Sequence, residues 1–454
     1  MNDISRRTLL GLGLKSLAVL GAGGCLGRFG RLYAAAPATQ DYKALVCIFM
    51  MGGNDGNNLI VPIKTDSQTY SDYFGVRGAT LGLPQDKLLP ISTANGKETY
   101  ALHPNLGPLK ELYDGSLRGK LAFVANVGTL LKPITKAEYQ QGGTAPANLF
   151  SHSDQQQQWQ LATVPGSSNA GWGGRAAKIV STDKSAHAFP PGISTAGNSL
   201  FLAGEIPHVS FGKGGLGLEG SNGWPDTVAR EGAFQEIITF KTGMSLIQKA
   251  NQVTALSLEA AKELQGALSS ASALKTSFPD TNLAQQLKQV AQIVSVRENL
   301  GVGCQIFFVS FGDFDTHSSA VPRQQALLTD LAASMSAFYR ATVELGIEKQ
   351  VLTFTESEFG RTLQPSSGAG SDHAWGSHHI VMGGAVKTAD IYGTFPLLAL
   401  KGPDDVTGRG VWLPTTSLDQ YCATLASWFG VPDDSLTAVF PNLTNFHPRK
   451  LAFL

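Results

Sequence analysis

Apolar residues in this chain follow two rhythms. One is a short unbroken run, seen at Leu45 to Met51, Leu121 to Val127, Gln305 to Ser310, Val351 to Thr355 and His379 to Met382. A strand that is apolar at nearly every position has both faces covered, as in the middle of a parallel sheet. The other rhythm is helical. It covers roughly Asn282 to Asn299, Pro322 to about Leu345, and Ser417 to Phe429. Pro322 suits a first turn, where its missing N–H has no intrahelical partner to lose, and Ser417 stands where a helix N-cap is needed. Strand and helix alternate, so the pattern predicts an α/β fold with a mostly parallel central sheet flanked by helices. Residues 128–201 are rich in Gly, Ser, Gln and Asn, and Asp226 to about Ser272 is helical and rich in Ala, Leu and Gln. Together, residues 128–280 are expected to form a loop- and helix-rich insertion or cap on the sheet.

The first forty residues follow neither rhythm. Ser5-Arg6-Arg7-Thr8-Leu9-Leu10 precedes an apolar stretch from Leu14 to Leu20, and small residues gather at Ala34, Ala35 and Ala36. A charged start, a short apolar run and an A-x-A-like end make a signal segment, and the paired arginines point to twin-arginine export. Residues 1–38 are therefore expected to be a signal peptide read by the twin-arginine translocase. Residues 39–454 are expected to form the mature α/β domain in the periplasm or outside the cell. The apolar run falls short of the roughly 20 residues that span a membrane, and no later segment reaches that length, so no stable membrane span is expected. A formal net charge of zero over 454 residues gives no electrostatic footprint for nucleic acid. Four cysteines, Cys25, Cys47, Cys304 and Cys422, are too scattered for a disulfide framework; the three in the mature chain read as buried thiols packing like small apolar side chains.

In a doubly wound sheet, ligands bind beyond the carboxyl ends of the strands, so polar residues directly after the apolar runs carry the candidate chemistry. Four clusters stand there. Gly52-Gly53-Asn54-Asp55-Gly56-Asn57-Asn58 follows the first run; its glycines let the backbone turn and bring a carboxylate to the sheet edge, or else Asp55 and the Asn residues cap the next helix. In Ser151-His152-Ser153-Asp154-Gln155, Ser151 or Ser153 is a candidate nucleophile beside a metal, or the segment is a capped helix start. Asp313-Phe314-Asp315-Thr316-His317 follows Ile306 to Val309. In extended backbone Asp313, Asp315 and His317 project to one side, two oxygens and one imidazole of the kind divalent metals take. After Val351 to Thr355 come Glu356-Ser357-Glu358-Phe359-Gly360-Arg361-Thr362, then Asp372-His373 and His378-His379, placing three of the nine histidines within seven residues.

The order of these groups resembles the alkaline phosphatase superfamily, whose pattern is an Asp after the first strand, a Ser/Thr/Cys nucleophile, Asp-x-x-x-His, Asp-His and a distant His. Asp55, Asp313-x-x-x-His317, Asp372-His373 and His378 match that order. A closer resemblance runs through most of the mature chain. The segments Gly52-Gly53-Asn54-Asp55-Gly56, Leu102-His103-Pro104, Ser151-His152, Gly171-Trp172-Gly173-Gly174-Arg175, Phe314-Asp315-Thr316-His317, Ser357-Glu358-Phe359-Gly360-Arg361-Thr362, Asp372-His373, Gly383-Gly384-Ala385-Val386-Lys387 and Phe440-Pro441-Asn442-Leu443 look like the secreted twin-arginine family called domain of unknown function 1501. That family's motif makes Asp315 rather than Asp313 the acid paired with His317. Sulfatases convert a Cys or Ser within Cys/Ser-x-Pro-x-Arg, and no such segment occurs, so sulfatase chemistry of that type is disfavoured.

Taken together, the resemblance and the clusters lead to the expectation of an exported hydrolase acting on a small or polymer-linked phosphate-type, or sulfate-type, ester. One or two divalent ions (zinc, manganese or magnesium) would be held by Asp55, Asp313, Asp315, His317, Asp372, His373 and His378, and two ions could clamp both oxygens of an in-line displacement. Ser151, Ser153 or an activated water would attack. Arg361 or Arg175 would bind the substrate anion through its planar fork, or stand in a structural ion pair with a residue such as Glu358. The alternative is a non-catalytic envelope or surface protein that keeps the fold, with at most a structural metal.

Overall fold

The computed structural model describes residues 42–142, 145–163, 168–181, 189–211, 227–240 and 243–454; the expected signal segment and Cys25 lie outside the described residues. In chain order the strands are β1 (Lys43–Met50), β2 (Ile60–Lys64), β3 (Leu89–Ser92), β4 (Thr99–Leu102), β5 (Leu121–Gly128), β6 (Gly192–Ser194), β7 (His208–Ser210), β8 (Cys304–Phe311), β9 (Val351–Glu356), β10 (Ser377–Met382), β11 (Ile391–Tyr392) and β12 (Thr416–Ser417). The five apolar runs of the sequence are β1, β5, β8, β9 and β10, each within two residues of the expected bounds.

The main sheet runs β11-β5-β10-β9-β1-β8-β6-β7, with β12 beside β5. Every pairing in it is parallel except those of β10, which runs antiparallel to both β5 and β9. The fold is therefore mixed α/β with a mostly parallel central sheet and flanking helices. β2, β4 and β3 form a separate antiparallel sheet of three strands.

The absence of polar alternation in β1 has a direct cause. Ala44, Val46, Ile48 and Met50 pack into one core, while Leu45, Cys47 and Phe49 pack into another on the opposite face. The first core is closed by the helices Asn282–Ser295 and Ala320–Glu344, the second by the helices Trp172–Val180 and Leu418–Phe429. With side chains alternating across the sheet and both faces covered, every position must be apolar. Residues 128–280 supply β6 and β7 at one sheet edge as well as the helices Thr227–Thr239 and Ser245–Ser269. Among the described residues no helix is long and apolar enough to cross a membrane.

Ser417 caps its helix as the sequence leads one to expect. Its hydroxyl accepts from the Gln420 amide at 3.0 Å, and the Gln420 side chain accepts the Ser417 N–H at 3.1 Å, closing a capping box. Replacing Ser417 with Ala is expected to cost about 1 kcal/mol, measurable as a lower urea midpoint at unchanged slope.

The topology decides where the polar clusters meet. β1, β8 and β9 are parallel, so the loops after Met50, Phe311 and Glu356 open at one edge. β10 is antiparallel and begins at that edge with Ser377 opposite Val127 of β5. Asp372-His373 therefore arrive just before β10, and the chain leaving β5 leads on to the helix His152–Leu161.

Candidate metal centre

The loop after β1 is pressed against the loop after β8. Gly52 and Gly53 have φ of +117° and +85°, and a Cβ on Gly52 would fall 2.3 Å from the Asp315 backbone nitrogen. Only glycine fits both the conformation and the space. Arg361, buried between the loops, ties them together. It donates to the carbonyls of Gly52, Gly53 and Ser371 and to the Asp315 carboxylate.

Asp315 is the hub. Its Oδ1 lies 3.0 Å from His317 Nε2, 3.5 Å from His152 Nε2 and 3.5 Å from His373 Nε2. His317 Nε2 and His373 Nε2 are 3.0 Å apart. The ligand atoms of His152, Asp315 and His373 all lie within 4.8 Å of one another. Around a tetrahedral zinc with bonds near 2.0–2.1 Å, neighbouring ligand atoms sit about 3.3 Å apart; the contacts to Asp315 are of that order, and His152, Asp315 and His373 form the group able to hold an ion, with His317 beside it.

The other nitrogen of each ring faces outward to an acceptor. His152 Nδ1 lies 2.9 Å from Glu358 Oε1, His373 Nδ1 lies 2.8 Å from the Phe150 carbonyl, and His317 Nδ1 lies 3.5 Å from Asp372 Oδ1. An acceptor at Nδ1 places the proton there and leaves Nε2 free to donate its lone pair. Glu358 is itself held, fully buried, by the Gly52 amide at 2.8 Å and the Gln156 side chain at 2.9 Å.

The charges agree with this arrangement. The Glu358 bond, followed by its charge and that of Asp315, raises the His152 pKa despite partial burial. Burial lowers that of His373, with Arg361 and the other rings adding to the effect against its bond to Phe150. For Asp315, burial pushes upward, but the Arg361 bond and charge, with His317 and His152, outweigh it and hold the carboxyl below its usual range. Asp372 is lowered in the same way: burial raises it, and the bond and charge of Arg409 prevail.

Of the residues expected to bind metal, Asp315, His317 and His373 come together, and Asp372 stands behind His317. Asp55 does not reach the cluster. It is buried in a two-pronged pair with Arg77, from the helix Tyr70–Leu81, and caps the turn that follows it. Asp313 is exposed at φ +73°, which breaks the extended run that would have aligned it with Asp315; its carbonyl accepts from Arg323. His378 and His379 alternate into opposite cores of β10, His378 stacking on Phe395 and His379 on Tyr421, and burial drives both to about 3. Ser151 is the N-cap of the helix His152–Leu161; its hydroxyl bonds Asp154 and lies 3.2 Å from Ser153 Oγ. Arg175 spends its guanidinium on the carbonyls of Val439, Ala170 and Leu161. Arg361 pairs with Asp315, not Glu358. His152 and Glu358 are the partners that spacing missed. The signal for His152 was its place one residue after a helix cap, which aims a first-turn side chain at the sheet edge.

A family model described as a protein of unknown function (DUF1501) matches residues 42–410. No curated protein matches. Among solved structures, the chain is similar to the C-terminal periplasmic domain of EcEptC from Escherichia coli, at 8% identity over 88% of this chain and 87% of that one, with a TM-score of 0.35.

Proposed function

The chain belongs to the DUF1501 family of proteins of unknown function, and from that premise we propose that it is an exported hydrolase of anionic esters, phosphate-type before sulfate-type, with one divalent ion held by Asp315, His152, His317 and His373. One observation carries the reading: three imidazoles turn Nε2 toward the same carboxylate oxygen while each Nδ1 rests on its own acceptor. Three imidazoles with one carboxylate suit zinc better than magnesium or manganese, which favour all-oxygen shells.

Bound there, the ion would supply Lewis acidity toward an ester oxygen. Ser151 and Ser153 are engaged at the helix cap, so attack falls to water. Its oxygen bonds to the central phosphorus, the bond to the leaving alkoxide breaks, and the alkoxide departs with the water's proton. Arg361 serves as the buried strut that aims Asp315. The role of meeting substrate charge passes to Arg409, whose side chain is 43% exposed beside Asp372. Structural metal sites are closed whereas catalytic ones stay open; the side chains of Asp315 and His317 are 46% and 47% exposed, which favours the enzyme over a non-catalytic envelope protein.

The test is metal analysis of purified protein joined to turnover of phosphomonoester, phosphodiester and sulfate-ester reporters. About one zinc per chain is expected, with activity lost on chelation and restored by zinc. Failure of the metal-loaded protein to cleave any reporter removes the enzyme reading. Replacing Glu358 with Gln keeps an acceptor at His152 Nδ1 but removes its charge. It is expected to weaken zinc binding about 10-fold, the lower end for outer partners of a ligand, as read by competition with a chromophoric chelator.

A further inference from the structure

Glu356 ends β9, two residues before the Glu358 that braces His152, yet the ester chemistry has no use for it. It is fully buried, and three neutral donors from three different elements converge on its carboxyl. Cys47 Sγ, on β1, donates to Oε2 at 3.6 Å. Cys422 Sγ, on the helix Leu418–Phe429, donates to Oε1 at 3.5 Å. Trp172 Nε1, at the start of the helix Trp172–Val180, reaches the same oxygen at 3.2 Å. Among the described residues no lysine, arginine or histidine acts on it. The titratable groups coupled to it, Cys47, Cys422 and Tyr421, are themselves pushed up, first by burial, and stay neutral. Farther out, His379 of β10 stacks on Tyr421 and is kept neutral by burial, and Asp419 acts on the Cys422 thiol.

We propose that Glu356 is a proton-binding site that locks this junction: β1, β9 and the two helices are held together while it is protonated, and the fold weakens as the medium turns alkaline. A carboxylate placed there has no cation to offset its lost hydration, so the group takes up a proton instead. Two of its three donors are thiols, which are weak ones. Burial therefore prevails and raises its pKa to about 8, against the lowering effect of the bonds from Cys422, Trp172 and Cys47. The lock needs no metal and does not depend on the ester-hydrolase reading.

The experiment is urea unfolding of the full chain, treated with chelator, for the wild type and Glu356→Gln from about pH 4 to about pH 9. Gln keeps the shape and carries no charge at any pH, so the ratio of the two unfolding constants isolates this group. Its folded-state value stands above the ordinary 4.5, so the stability it contributes is complete below about 4.5 and is lost as pH rises through about 8. Across that window the wild-type unfolding constant should grow about 10-fold per pH unit relative to that of the variant, and the ratio should be flat on either side. A ratio independent of pH overturns the proposal, as does one that moves in the wild type's favour as pH rises. Should Glu356→Gln fail to fold, Cys422→Ser carries the test. The serine hydroxyl is a stronger donor than the thiol and favours the charged form, so this variant should gain on the wild type as pH rises towards 8. A ratio that stays constant there overturns the lock as well.

Discussion

Asp315→Asn is expected to lower zinc affinity by more than about 100-fold, beyond the range typical of outer partners of a ligand. Asp315 supplies the carboxylate on which the Nε2 atoms of His152, His317 and His373 converge, and the substitution removes the negative charge while keeping the shape. Asn still offers an oxygen to Arg361, so the metal-free protein should lose only about 1 kcal/mol, in the range of a part-exposed pair. Chelator competition and urea unfolding of the apo form separate the two effects. Native-like zinc binding by this variant would sink the assignment of the centre.

The largest effect on stability is expected in the neighbouring loop, the one after β1. Arg77 and Asp55 form an ion pair with side chains 0% and 2% exposed, and Arg77→Met leaves the carboxylate buried and uncompensated. Breaking such a pair from one side costs about 3–5 kcal/mol, so the urea midpoint should fall sharply while zinc stoichiometry stays at the native value. A variant of native stability that has lost its metal would instead make Asp55 a ligand. The double variant Arg77→Met with Asp55→Leu should recover much of the loss, because the cost lies in the stranded charge and not in the missing attraction.

The pairing of Asp55 with Arg77 also shows why part of the site could not be read from the chain. An Asp between glycines after the first strand suits a metal ligand and a buried ion pair equally well. The choice depends on Arg77, 22 residues on, on a helix whose docking no local signal announces. His378 was misplaced for a related reason. Ligand-type residues at a strand start look available, but β10 lies between β5 and β9 with a packed core on each face, and the His378 ring ends inside. Asp313 failed through one backbone angle.

By itself the sequence determined the layered α/β architecture, the five principal strands and the capped helix Leu418–Phe429, because burial on both faces makes a strand an unbroken apolar run and burial on one face gives a helix a period of 3.6, and both signals are local. It also marked the loops that bear chemistry, since polar residues directly after buried strands have few other places to be. Only the tertiary structure decided which of those residues meet. Convergence on Asp315 depends on β1, β8 and β9 ending at one edge, on β10 entering from that edge, and on the β5 connection delivering His152 there. A ligand set is defined by angstrom-scale distances between side chains from separate segments of the chain, which no periodicity along the chain encodes.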